Sequence, residues 1–173
     1  MTAEATVRRM TRADLAQVRA WRNEPAVRRH MLTQHEIGAE EHARWFDVAS
    51  ADPSRALLIV EAGAPLGYVQ FSGLDSATAC QWGFYAVPGA PRGTGSRLGR
   101  AALAYAFDHL HVHKVCGQAF AGNEASIRLH RHLGFREEGV LRQQQRVGDA
   151  WVDLVCFGLL RSEWRSQASH QPP

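Results

Sequence analysis

Lysine is almost missing from this chain. Of its 20 basic residues only Lys114 is a lysine, and the other 19 are arginine. These residues are scattered, and the formal net charge is only +3, so no cationic stripe is available and nucleic acid is not an expected partner. Cysteine is scarce as well. Cys80, Cys116 and Cys156 form no CxxC pair and are odd in number, so buried, reduced thiols in a reducing compartment are expected. No apolar run approaches the roughly 20 residues needed to cross a bilayer; the stretch Val152–Leu160 is broken by Asp153. Met1–Arg9 carries Glu4, Arg8 and Arg9 but no apolar core. No signal peptide and no membrane contact are therefore expected, and the cytoplasm is the expected compartment. Internal repeats and low-complexity stretches are also lacking.

What remains is an ordinary globular composition. Hydrophobic residues make up 45% and charged residues 21% of 173 residues, which fits one domain with a core of normal size. That domain is expected over residues 1–165, with an unstructured tail over 166–173. Ala5–Met10 reads as a strand, and Thr11 with Asp14 three residues on reads as the start of a helix through Arg22. A short turn of helix to about His30 follows Asn23-Glu24-Pro25. In Ala39–Ala49 the residues His42, Trp45, Phe46 and Ala49 share a helical face. Arg55–Glu61 and Leu66–Leu74 read as a hairpin, and Thr78–Val87 as a third strand. Leu98, Ala101, Ala102, Tyr105 and Ala106 mark an amphipathic helix. Strand Lys114–Phe120, helix Glu124–Leu133 and a hairpin of Val140–Val147 with Trp151–Leu160 complete the chain. Both faces of the last strand are apolar, which places it inside the sheet.

The segment Arg92-Gly93-Thr94-Gly95-Ser96 stands between a strand and a helix. Its glycines allow a tight turn that leaves several N–H groups free at a helix N-terminus, a site for phosphate or pyrophosphate. Arg92 and Arg97 add charge. The loop is neither a Walker loop nor a Rossmann fingerprint, and alone it is equally readable as a plain turn.

A second segment gives the loop more weight. Ala121-Gly122-Asn123-Glu124-Ala125-Ser126-Ile127-Arg128-Leu129-His130-Arg131-His132-Leu133-Gly134-Phe135 resembles the strand-to-helix segment of the GCN5-related N-acetyltransferases, with its Asn, Ala/Ser-Ile and Leu-Tyr-x-x-Leu-Gly-Phe. Ala90-Pro91-Arg92-Gly93-Thr94-Gly95 is similar to that family's Gln/Arg-x-x-Gly-x-Gly/Ala loop, with Ala90 departing from it and Arg92 able to replace the charge. The resemblance runs from about Val7 to Leu160. It implies an α/β single domain, with a mixed, mostly antiparallel sheet of about seven strands flanked by about four helices. It also implies acetyl-coenzyme A as donor. The pyrophosphate would lie on Arg92, Gly93, Thr94, Gly95, Ser96 and Arg97. The pantetheine would run beside Tyr85, Ala86 and Val87, and Asn123, Ser126 and His130 would complete the cofactor wall.

Acetyl transfer to an amine needs a stabilised oxyanion and a proton for a thiolate of pKa about 8.5. His130 occupies the position where the family usually has a Tyr, and an imidazole can donate that proton. The alternative is that His130 only packs within its helix. Tyr85 is the reserve donor. For the base, His35 and Glu36 come first, with ordered water as the alternative. His109, His111 and His113 straddle a helix end and a strand start, so no metal site is expected.

The acceptor side reads Trp21-Arg22-Asn23-Glu24-Pro25-Ala26-Val27-Arg28-Arg29-His30-Met31, then Ile37 and His42. This resembles the nucleotide-sugar branch of the family in pseudaminic acid biosynthesis, which acetylates the 4-amino group of a UDP-linked aminodideoxy sugar. Gly139–Arg142 and Asp149–Asp153 are also similar. The branch implies acceptor contacts from Arg22, Asn23, Met31, His35, Glu36 and Trp82. Arginine forks suit a diphosphate, although Trp21 also fits the core by its helical spacing. Arg-Asn-x-Pro recurs in ribosomal-protein N-acetyltransferases, so an N-terminal amine is the second reading. Antibiotic or other small amines, and a coenzyme-binding module without catalysis, follow. Association into a homodimer is left open.

Overall fold

The structure is a computed structural model, and it describes residues 3–76 and 78–168. Seven strands form one sheet in the order β1-β2-β3-β4-β5-β7-β6. β1 (Thr6–Arg9), β2 (Arg55–Ala62), β3 (Ala64–Ser72) and β4 (Cys80–Ala86) pair antiparallel in succession. β5 (Lys114–Phe120) pairs antiparallel with β7 (Ala150–Leu160), which pairs in turn with β6 (Arg136–Val147). β7 is thus enclosed by two strands, as its apolar faces imply. The expected seven-strand α/β sheet is present, but six α-helices accompany it rather than about four.

β2 shows why the sheet holds helices on both faces. Its alternate residues Ala56, Leu58 and Val60 enter one core, while Leu57 and Ile59 enter another, as side chains of a pleated strand must. α4 (Thr94–Asp108) covers the first face with Leu98, Ala102, Leu103 and Ala106. α1 (Leu15–Asn23) and α3 (Ala39–Ala51) cover the second with Val18, Trp21, Phe46 and Ala49. Trp21 is therefore a core residue. A short α2 (Pro25–Arg28) follows α1. α5 (Glu124–His132) adds Ile127 to the first core, and Leu133 and Phe135 follow it there.

The ends of several elements differ from the pattern in the sequence. The first helix opens as a 3-10 turn, Arg12–Asp14, before α1 begins. β6 starts four residues earlier than Val140, because Arg136 and Glu137 already pair with Gly158 and Phe157 of β7. The tail expected from residue 166 is helical through Ala168, since α6 (Arg161–Ala168) continues directly from β7. Arg161 fixes its start by donating to the carbonyls of Phe107 and Val112, and Trp164 stacks on Phe107. The rest of the expected tail, 169–173, lies outside the described residues. Cys80 is buried, whereas Cys116 and Cys156 are only half-buried; burial pushes the Cys80 thiol up to about 12. Lys114 is paired with Glu138 at 2.7 Å. No helix among the described residues is long and apolar enough to cross a membrane.

Asp14 ties β1 to the start of the helical layer. Its carboxylate accepts from the Thr11 amide at 2.8 Å and from both ends of the Arg8 guanidinium at 2.8 and 2.9 Å. The Arg8 hydrogen bonds hold the carboxyl down at about 2, against about 4 in an unfolded chain. Its contribution is present above pH 4 and is lost as pH falls toward 2. Asp14→Ala should lower stability by about 1–2 kcal/mol at pH 7, and denaturant titrations of the two proteins should converge below pH 2.

Candidate active site

β4 and β5 are neighbours in the sheet, yet only Cys80 with Val115 and Gln81 with Cys116 are in register between them, in parallel. Beyond these pairs the strands part. The opening widens into a cleft of about 780 Å³ with residues of β4 on one wall, Gln118, Ala119 and Phe120 of β5 on the other, and α1, α3 and α5 around it. Among the strand residues on the β4 wall are Gly83, Phe84, Tyr85 and Ala86.

The glycine loop lies where β4 leads into α4. Gly93 caps the helix with φ +89°, a left-handed conformation that glycine adopts at no steric cost. The Thr94 amide is taken by Pro91 and the Arg97 amide by Gly93. The amides of Gly93, Gly95 and Ser96 have no partner among the described residues, at the positive end of a 15-residue helix. The expected anion site is thereby narrowed. Arg92 is exposed beside it, but Arg97 turns away and donates to the Ala3 carbonyl at 2.8 Å. Thr94 is buried. Asn123 lines the cleft and caps α5, accepting from the Ser126 amide at 3.2 Å.

His130 has a different setting from the one a proton donor needs. Its ring is 1% exposed. Nδ1 donates to the Ser126 carbonyl at 2.8 Å, and Nε2 accepts from the Trp82 indole N–H at 3.2 Å. Burial lowers its pKa, only partly offset by the Ser126 carbonyl, so the neutral form prevails and Nε2 holds no proton. In this arrangement the one ring proton of His130 is committed to the Ser126 carbonyl. Trp82 lines the cleft and also packs in the core: it is 7% exposed and stacks against Phe135 at 5.2 Å. Tyr85 lines the cleft, and its ring lies 5.2 Å from that of Tyr68. Burial raises its pKa, so the phenol keeps its proton.

On the acceptor side the expected set divides. Arg22 and Met31 line the cleft. Asn23 does not, because its amide is used in both directions on Ile37, donating to the carbonyl at 2.9 Å and accepting from the amide at 2.8 Å. His35 and Glu36 lie outside it as well. His35 pairs with Glu41 at 2.9 Å, and Glu36 faces Arg28 at 3.9 Å across exposed surface. Neither is placed to act as the base.

Two groups at this end of the cleft lack partners. Arg22 spends one edge, Nη2, on the Thr33 carbonyl at 2.8 Å, while its Nη1 is buried with no hydrogen bond. His42, 4% exposed, leaves Nδ1 buried and unpaired, its ring stacked on Trp45 at 5.0 Å. Burial, with Arg19 and Arg22 nearby, lowers the His42 pKa, so this imidazole is neutral at pH 7. Sequence periodicity placed His42 on a core face; a polar ring facing the same cavity as an arginine was the signal it carried. Buried polar atoms without a protein partner are costly, and both of these residues line the same cavity. Among the described residues no cluster of His, Cys, Asp or Glu could hold a metal ion.

A parallel strand pair that parts beside an amide-lined helix N-terminus defines an acyltransferase of the kind the loop motifs resemble. The chain belongs to the GCN5-related N-acetyltransferases: the family model described as an acetyltransferase (GNAT) domain matches residues 5–136, and the protein is an N-acetyltransferase. It is 28% identical over 116 residues to the acetyltransferase PseH of Campylobacter jejuni, covering 66% of this chain and 72% of that one. It is 37% identical over 68 residues to the putative ribosomal N-acetyltransferase YdaF of Bacillus subtilis, covering 39% of this chain and 37% of that one. The fold superposes on spermidine N-acetyltransferase from Vibrio cholerae, crystallised with CoA and spermine, with a TM-score of 0.86 at 20% identity, covering 94% of this chain and 98% of that one.

Gly93→Ala forces a side chain into the left-handed region at a cost of about 1–2 kcal/mol. It should lower the thermal midpoint of the free protein and weaken coenzyme A binding, both measured by calorimetry.

Proposed function

We propose that this N-acetyltransferase takes its acetyl group from acetyl-coenzyme A and delivers it to the amino group of a small acceptor that also carries an anionic group. The preferred acceptor is a UDP-linked amino sugar. The observation that carries the reading is the buried, unpartnered Nη1 of Arg22 in the same cavity as the unpartnered Nδ1 of neutral His42. An arginine edge anchored at Nη2 and free at Nη1 suits a phosphate or carboxylate oxygen. The sequence resemblance to the nucleotide-sugar branch points the same way.

The cofactor supplies an activated thioester carbonyl. The amides of Gly93, Gly95 and Ser96 would receive its diphosphate, with Arg92 adding charge, and the unpaired edges of β4 and β5 would receive its pantetheine amides. Asn123 and Ser126 stand at the far wall of the same cleft. Attack by the neutral amine nitrogen on the acetyl carbon forms the C–N bond, and collapse of the tetrahedral adduct breaks the C–S bond. Tyr85 gives its proton to the departing sulfur, and the proton lost by the acceptor nitrogen restores the phenol through solvent. Burial keeps that phenol protonated at working pH, which a proton donor requires. Met31 supplies an apolar contact on the acceptor side.

The likeness to spermidine acetyltransferases raises a polyamine as a second acceptor. The charge of the cleft speaks against it. Glu41 is the one acidic residue lining it among the described residues, and its carboxylate is already engaged by His35 and the Gly38 amide. A polycation would meet Arg22 instead of carboxylates.

A thiol-release assay across UDP-amino sugars, N-terminal peptides and spermidine should show turnover on the first group. Arg22→Lys keeps the charge but loses the fork, and should raise the acceptor KM about 10-fold to 100-fold while coenzyme affinity stays constant. Faster turnover on spermidine or on a peptide would overturn the acceptor reading.

A further inference from the structure

His130 stands where the resemblance implies a proton donor, and the structure gives it other partners. β4 and β5 hold their last mutual register at Gln81 and Cys116. One residue further on are Trp82 and Gly117, and over that gap the Trp82 indole reaches His130 of α5. Gly117 leaves room for this bridge. A Cβ there would lie 2.5 Å from His130 Nε2 and 2.6 Å from Trp82 Nε1. The hydrogen bond therefore passes directly above the β5 backbone, tying β4 to α5 at the point where the strands separate.

The surroundings of the ring fix its orientation. Phe157 of β7 stacks on it at 4.5 Å and 14°, while Phe135 and Trp82 meet it edge-on at 5.0 and 5.6 Å. Phe84 closes the β4 side at 5.8 Å. These elements present aromatic groups, and no charged side chain is among its hydrogen-bond or ring partners. Nδ1–H donates to the Ser126 carbonyl at 2.8 Å, with the Ser126 hydroxyl also near it at 3.4 Å, and Nε2 accepts from Trp82, so each nitrogen has one role. Protonating Nε2 would set N–H against N–H across the bridge and place a charge in an aromatic shell.

We propose that His130 is a positioning residue that sets the separation of β4 and β5 at the apex of the cleft, with Nδ1 protonated and Nε2 accepting from Trp82. The width of the cleft where the thioester must lie then depends on this bridge. The proposal rests on the reading of the cleft as the cofactor site, but its main test needs no ligand.

Nitrogen-15 NMR of the free protein, labelled at histidine, should show His130 protonated on Nδ1 and not titrating between about pH 6 and pH 9. An Nε2–H tautomer, or titration within that range, would overturn the proposal. Three variants add a functional reading. Trp82→Phe removes the donor and should weaken coenzyme A binding about five-fold, the effect of one neutral hydrogen bond, without altering the pH profile of kcat. His130→Gln retains an oxygen able to accept from Trp82 but has no proton to pass at working pH. It should recover much of the coenzyme affinity and turnover lost in His130→Phe. Equal loss of turnover in both, with coenzyme binding intact, would return His130 to the role of proton donor. If the wild-type protein fails to bind coenzyme A while its NMR tautomer is as stated, the functional reading falls and the bridge stands.

Discussion

Hydrogen bonding between β4 and β5 stops after two register pairs, and the site follows from that interruption. Past Gln81, β4 has only β3 as a partner, and past Cys116, β5 has only β7. Two backbone edges are left facing one another across an opening inside the sheet. Edges of this kind are templates for an extended group with its own amides. α4 starts beside the opening, so a chain lying along it ends at free helical N–H groups. The aromatic shell of Trp82, Phe135 and Phe157 keeps the parted strands from collapsing back together, because closing them would crush rings packed at 4.5 to 5.6 Å around His130.

The two ends of the cleft differ in electrostatics, which separates the two substrates. At the α4 end, backbone N–H dipoles at a helix N-terminus dominate, with Arg92 beside them. At the α1–α3 end, a half-buried guanidinium and a desolvated imidazole stand in one cavity, with the nearby carboxylate already tied up. In the function proposed above, the first end would take the coenzyme A diphosphate and the second would select among acceptors. This separation explains how chains of similar fold serve different amines.

Much of this was legible along the chain where the determining contacts are local. Glycines in the loop and the helical spacing of α4 each depend on neighbours within a turn, and they were readable from residue order alone. The acceptor side was less so. Arg22 and Asn23 adjoin in sequence but point to opposite tasks, one into the cleft and one onto Ile37, because the direction of a side chain on a short helix is set by what packs against it. Arg97 left the anion site for the Ala3 carbonyl, a partner 94 residues away. The Trp82–His130 bridge spans 48 residues, and no local pattern announces it. His42 was hidden for the opposite reason: its spacing matched the core residues beside it so well that its ring seemed apolar in purpose.

The lone lysine has a chemical consequence for a protein that handles an acetyl thioester. Thioesters acylate unprotonated amines without any catalyst, and lysine side chains on a protein's own surface are open to this whenever they lose their proton. Here Lys114 is the only one, and the Glu138 carboxylate beside it raises its pKa and keeps it protonated. Arginine, which carries nearly all the remaining positive charge, stays protonated at any working pH. The molecule is cationic enough to hold phosphates, yet it offers its own reagent a single side-chain amine to modify, and that one is held protonated.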